Sequence, residues 1–320
     1  MLAQSLIHWP QPITEYIGFI GSFFPAGAIG FRFAVLRGVL TRGEQSGMVE
    51  TRQRLLAEAA RRAAAIGLIG TIVAAALLWY QLPGLAARRH STVAQLVAQN
   101  AGVELQIGFF VVALVGFVLA LRGSRVGWWL AAIGFVCGLL RNAFLAQWGG
   151  LTNPLHVLAG GLWIGTLFVM LAAGISVVLN NELALDQRGP IISDMVYSFS
   201  PLALGAAPVL VLFGIIIAWK HLHVLSNLWM SPYGQTLIVK LCLVALVFAL
   251  GAWNWRRQKP TLGSESGALA IRRSATMEVA VAALVLAATA VLLSIPAPRV
   301  KKPAAPVAPV PNATAGQPSH

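Results

Sequence analysis

The chain alternates long apolar runs with short polar connections, and eight of the runs approach the ~20 residues that a helix needs to cross a bilayer. They fall near 13–36, 63–82, 104–121, 126–146, 154–179, 199–220, 235–255 and 275–295. None shows the two-residue alternation of a barrel strand, so the pattern predicts an all-α, polytopic transmembrane helical bundle of about eight spans. The third and fourth runs are joined only by RGSR (122–125), which leaves room for a tight hairpin between antiparallel helices. This divides the chain into an N-terminal four-span half (1–150), a C-terminal four-span half (151–296) and a Pro/Ala-rich tail (297–320) that reads as extended and disordered.

Composition agrees with the pattern. At 58% hydrophobic and 10% charged residues, with a mean hydropathy of +0.75, the 320 residues do not describe soluble domains. A formal charge of +13 would suit nucleic acid in a soluble protein. Here the basic residues collect between apolar runs, where they act as topology signals against anionic lipid, and no nucleic-acid partner is expected. The first connection holds Arg37, Arg42, Arg52, Arg54, Arg61 and Arg62, the third Arg122 and Arg125, the fifth Arg188, and the seventh Arg256, Arg257, Lys259, Arg272 and Arg273. The even connections and the tail hold only Arg88, Arg89, Arg299, Lys301 and Lys302. The excess of positive charge on cytoplasmic loops then puts both termini outside the cytoplasm. No Lys or Arg precedes the first run, the first being Arg32, so a cleaved signal peptide is not expected. Glu50, Arg54, Glu58 and Arg62 alternate in sign at four-residue intervals, which predicts a solvated helix leading into the second span. Cys137 and Cys242 are far apart in apolar runs and offer neither a disulfide framework nor a Cys-x-x-Cys site.

With that orientation His8, His90, His156, His221, His223 and His320 all belong to the outer side. Glu15, Glu104, Arg141, Asn142, Lys220 and Lys240 gather near the same level. An ionised group at membrane depth costs on the order of 2.5–3.5 kcal/mol on insertion scales unless paired or hydrated, which marks Arg141 and Lys240 as candidates to line a pocket. Lys220 and Lys240 can also simply snorkel to the interface.

Neutral imidazole is a good ligand for copper or zinc, and sulfur ligands favour Cu(I). The segment HLHVLSNLWMSPYG (221–234) offers His221, His223 and Met230. In a turn the two histidines can converge on one ion; on a regular helix they point about 200° apart. Histidine beside tryptophan is also common at membrane surfaces. The stretch HVLAGGLWIGT (156–166) carries more: on a helix beginning near Pro154, His156, Gly160, Trp163 and Leu167 share one face, and Gly160 and Gly161 admit a neighbouring helix closely. A histidine in that place can serve as a metal ligand or simply hydrogen-bond across helices.

Together with YSFSPLAL (197–204), SPYGQTLIVK (231–240) and LGAWNWRR (250–257), this stretch resembles the copper resistance D (CopD) family of bacterial inner-membrane proteins. The features that carry the resemblance are His156 before Trp163 and Gly165, Phe199 with Ser200, and Tyr233 and Gly234 before Lys240, across roughly residues 150–295. The resemblance implies a multi-pass protein of the bacterial inner (plasma) membrane that handles copper, moving it from periplasm toward cytoplasm, often with a small periplasmic copper-binding partner of the CopC type. Methionine-rich repeats are missing. On this reading a copper ion binds at the outer face, with His156 as ligand and His221, His223 and Met230 as further ligands, while Lys240, Arg141, Trp163, Glu104 and Glu15 shape the pocket and its charge. No catalytic residues are assigned and no Gly-rich ATP-binding loop is present, so a carrier is expected rather than an enzyme. Two other classes stay open: a b-type haem electron-transfer bundle, with His156 and His221 or His223 as axial ligands, and a membrane scaffold or assembly factor in which the histidines are incidental.

Overall fold

The computed structural model describes residues 10–45, 49–180, 185–222, 224–258 and 265–298, and every element among them is helical. In order these are α1 (Pro10–Arg42), α2 (Val49–Arg88), α3 (Val93–Gln99), α4 (Ala101–Leu121), α5 (Arg125–Leu139), α6 (Arg141–Phe144), α7 (Trp148–Leu179), α8 (Leu185–Leu222), α9 (Asn227–Met230), α10 (Pro232–Gln258) and α11 (Glu265–Ser294). Seven of them (α1, α2, α4, α7, α8, α10 and α11) are long and apolar enough to cross a membrane. The fourth predicted span is the exception, because α5 has only 15 residues. Its helix ends at Leu139, and Arg141 turns its Nη1 back to donate to the carbonyl of Gly138 at 3.3 Å, satisfying one of the open acceptors of the last turn. The predicted tail (297–320) and His8, His223 and His320 lie almost entirely or wholly outside the described residues.

The short connections are built from caps. Thr92 and Gln95 form a reciprocal capping box at the start of α3, Asn100 accepts from the amides of Gly102 and Val103 at the start of α4, and Ser124 accepts from Gly127 at the start of α5. The RGSR hairpin turns at Gly123, whose φ of +85° suits glycine. Beyond it α4 and α5 run together backbone to backbone, since a Cβ at Gly116 would lie 2.2 Å from the amide nitrogen of Ala131. Three members of the predicted wet stripe at the start of α2 are seen at the surface: Arg54 is exposed, and Arg62 Nε donates to Glu58 at 2.9 Å with both side chains exposed, while the Glu50 side chain lies outside the described residues.

Helix α1 is central, packing on α2, α7 and α11. Its contact with α7 depends on glycine, because a Cβ at Gly27 would lie 2.2 Å from the carbonyl oxygen of Gly165. Phe31, Phe117, Met170, Ile175 and Met195 fill a core shared by both halves of the chain. Three π-helical stretches interrupt the long helices, at Phe31–Leu36 in α1 and at Gly161–Gly165 and Met170–Ile175 in α7. Such widened turns often occur at functional sites. On the other side of the bundle α8 packs on α7, and α10 packs along α11. Apart from the His221–Tyr233 stack at one end, helices α8 and α10 stand apart among the described residues, which leaves a seam between them floored by α7 and α11.

Candidate functional site

One end of this seam is a cavity of about 340 Å³. His156, Gly160 and Trp163 reach it from α7, as their shared helix face predicts, and Lys240 reaches it from α10. The remaining walls are almost wholly apolar, supplied by residues such as Phe19, Phe23, Leu210, Val244 and Val285. His156 Nδ1 lies 2.9 Å from the carbonyl oxygen of Leu210 in α8. A carbonyl can only accept, so Nδ1 carries the proton and donates, and Nε2 is left with the lone pair. A backbone partner of this kind fixes ring orientation for a ligand histidine. The imidazole also needs Gly214, where a Cβ would lie 3.1 Å from His156 Cε1.

The other sequence-derived candidates are spread more widely. Lys220 donates from Nζ to Thr152 Oγ1 at 3.2 Å, which ties the tail of α8 to the head of α7 and puts His156 and His221 at the same end of the bundle. His221, however, stands seven residues beyond Gly214, about 10 Å along the helix. Its Nδ1 donates to the carbonyl of Ile217 at 2.8 Å, its ring stacks on Tyr233 at 5.9 Å, and it does not line the cavity. Met230 is 83% exposed. Glu15 is half-buried one helical turn before the cavity residue Phe19. Glu104 is exposed in the first turn of α4, and Arg141 is half-buried near Gly138; neither lines the cavity. Among the described residues no three His, Cys, Asp or Glu side chains cluster as a ready-made metal site, and no second histidine lines the cavity to complete an axial pair for haem.

Past Trp163 the seam continues into a second cavity of about 420 Å³. Trp163 and Phe248 line both, their rings 4.8 Å apart and inclined at 49°. The second cavity is more polar: Glu278, Ser200, Ser274 and Arg256 line it together with the thioether residue Met170. Glu278 is buried, with 8% of its surface exposed. Sequence reasoning misses this residue, although a carboxylate inside an apolar run of the sequence is itself a signal. It also misses Asp194. That carboxylate accepts from Arg52 Nη1 at 2.8 Å, with Arg52 only 4% exposed. Beside it Arg42 donates to the carbonyl of Asp194 at 3.2 Å and to Ser198 Oγ, and lies over the ring of Tyr197. The cluster ties the basic first connection to α8.

Seven long apolar helices among the described residues, packed around this seam, define a multi-pass membrane protein embedded in the lipid bilayer. Residues 193–292 match the family model of copper resistance protein D. The chain is 28% identical over 209 residues to the "Copper transport protein CutJ" of Bacillus subtilis (strain 168), a stretch that covers 61% of this chain and 36% of that relative. The chain thus spans little more than a third of the length of the curated relative it matches. The family-model match falls within the C-terminal half, which also holds the motifs that resemble that family. The matched family segment contains Lys240, Phe248 and Glu278, while His156 and Trp163 precede it. No solved structure matches the chain.

Proposed function

We propose that this protein is a copper carrier of the bacterial plasma membrane, which takes up a copper ion at the periplasmic end of the seam through His156 and passes it toward the cytoplasm. The observation that carries this reading is the His156–Leu210 hydrogen bond, which leaves Nε2 as the lone-pair nitrogen of a ring lining a cavity. His221 and Met230 lie nearer the helix ends, where these side chains suit first contact with the ion, and His223 is the further ligand that the sequence offers beside them. Lys240 lines the same cavity and disfavours a lasting stay of a cation there, which suits passage more than storage. The protein makes and breaks no bond in this role and is not an enzyme. A small periplasmic copper-binding protein of the CopC type suits the part of donor.

The reading is tested by the metal content of purified protein, wild type against His156→Ala and a His221→Ala/His223→Ala double variant. Copper falls in the first and falls less in the second. Equal copper in all three would overturn it. An absorption spectrum of the same samples lacks haem bands; a reduced Soret and α band would favour the electron-transfer reading instead.

A further inference from the structure

The two cavities share only Trp163 and Phe248 among their lining residues, and their order along the chain is regular. On α7 the first cavity takes positions 156 to 164 and the second 163 to 170. On α8 the division falls between Leu210 and Ala207, on α10 at Phe248, and on α11 between Ala282 and Glu278. Four helices therefore change from one cavity to the other at one level, so the cavities stand end to end along the helix axes. From Lys240 to Arg256 on α10 is sixteen residues, or about 24 Å at the helical rise, most of a bilayer's hydrocarbon thickness.

Their chemistry differs in the direction a cation needs. Among the described residues the first cavity is lined by a lone-pair nitrogen and the Lys240 amine and by no carboxylate. The second offers a buried carboxylate and a buried thioether, with two hydroxyls and one guanidinium, Arg256, in the same space. A charged group buried at membrane depth is costly to keep, and such groups mark ion paths. Thioether sulfur selects soft ions such as Cu(I), and a carboxylate compensates their charge.

We infer that the second cavity is a second cation station, with the Glu278 carboxylate and the Met170 thioether as ligands, separated from His156 by the Trp163–Phe248 partition. The identity of the ion as Cu(I) rests on the function proposed above; the existence of the station does not depend on His156. An ion that leaves the imidazole moves away from Lys240 and toward Glu278.

The test uses the full chain in lipid nanodiscs, loaded with Cu(I) under ascorbate and equilibrated against a chromogenic Cu(I) chelator. Wild type holds about two ions per chain, and His156→Ala and Glu278→Gln each hold about one, with imidazole and thioether as the separate donor types. X-ray absorption at the copper edge of the wild type shows sulfur as well as nitrogen scatterers, and Met170→Leu loses the sulfur. Because the spectrum is taken on unaltered protein, a folding defect in Glu278→Gln leaves the inference open to refutation. Wild-type stoichiometry in Glu278→Gln, or a sulfur-free spectrum in wild type, would overturn the second station while leaving His156 to be judged by its own variant. Loss in Glu278→Gln with none in His156→Ala would uphold the station and sink the first site.

Discussion

His156 and Leu210, 54 residues apart in sequence, meet through a 2.9 Å hydrogen bond that joins the head of α7 to the middle of α8. The bond sets which ring nitrogen stays available, and the contact is possible because position 214, one turn further on, has no side chain. Gly214→Leu should therefore displace the imidazole without replacing any proposed ligand. We expect copper affinity to fall by about tenfold, the lower end of what lost outer-shell support costs a metal site. Competition against a Cu(I) chelator reads the change, and unaltered affinity would show that ring orientation is unimportant.

The Arg52–Asp194 pair should matter for stability well out of proportion to its size. Asp194→Ala leaves the buried Arg52 guanidinium without its carboxylate, at a cost on the order of 3–5 kcal/mol. Replacing both partners with Arg52→Met and Asp194→Leu should cost clearly less, since no lone charge stays behind. Thermal unfolding in detergent, followed by circular dichroism, compares the single and double variants. Equal loss in both would mean that Asp194 acts mainly through its other contacts.

The crossing of α1 and α7 should be intolerant of a single methyl group. At Gly27 a Cβ would lie 2.2 Å from the Gly165 carbonyl oxygen, which is backbone and cannot swing aside. Gly27→Ala should lower stability by about 1–3 kcal/mol, the usual cost of overpacking. Gly108→Ala, where nothing lies within 4 Å, is the matched control and should be neutral or slightly stabilising. If the two variants melt together, the close approach is not a constraint.

Orientation has a direct assay. In a background lacking Cys137 and Cys242, Ser91→Cys in the connection before α4 should react with a membrane-impermeant maleimide added to intact cells. Ser124→Cys, in the basic hairpin, should react only after lysis. Reversed labelling would invert the direction proposed for the copper path.

Much of this architecture can be read along the chain because membrane spans announce themselves by length and apolarity alone. The RGSR hairpin and the His156–Gly160–Trp163 face follow from local geometry too, and both are found. Lys240 joins His156 in the cavity for a reason no periodicity contains, namely that α10 docks on α11 across the seam from α8. The same holds for Phe248 opposite Trp163 and for Asp194 beneath Arg52. His221 stays outside the cavity because α8 continues as regular helix to Leu222, carrying the ring two turns past Gly214 and onto Tyr233. The existence of helices is a one-dimensional property; which side chains meet depends on how they dock.

At 15 residues, α5 reaches only about 22 Å, some 8 Å short of a typical hydrocarbon core of ~30 Å. Lipid beside it must therefore thin or let water and headgroups dip inward around Arg141, which follows its last turn. The bilayer around this protein is thus not uniform: α5 meets a shallower membrane than the seven long helices, and bilayer thickness becomes a variable to which the fold responds from one flank.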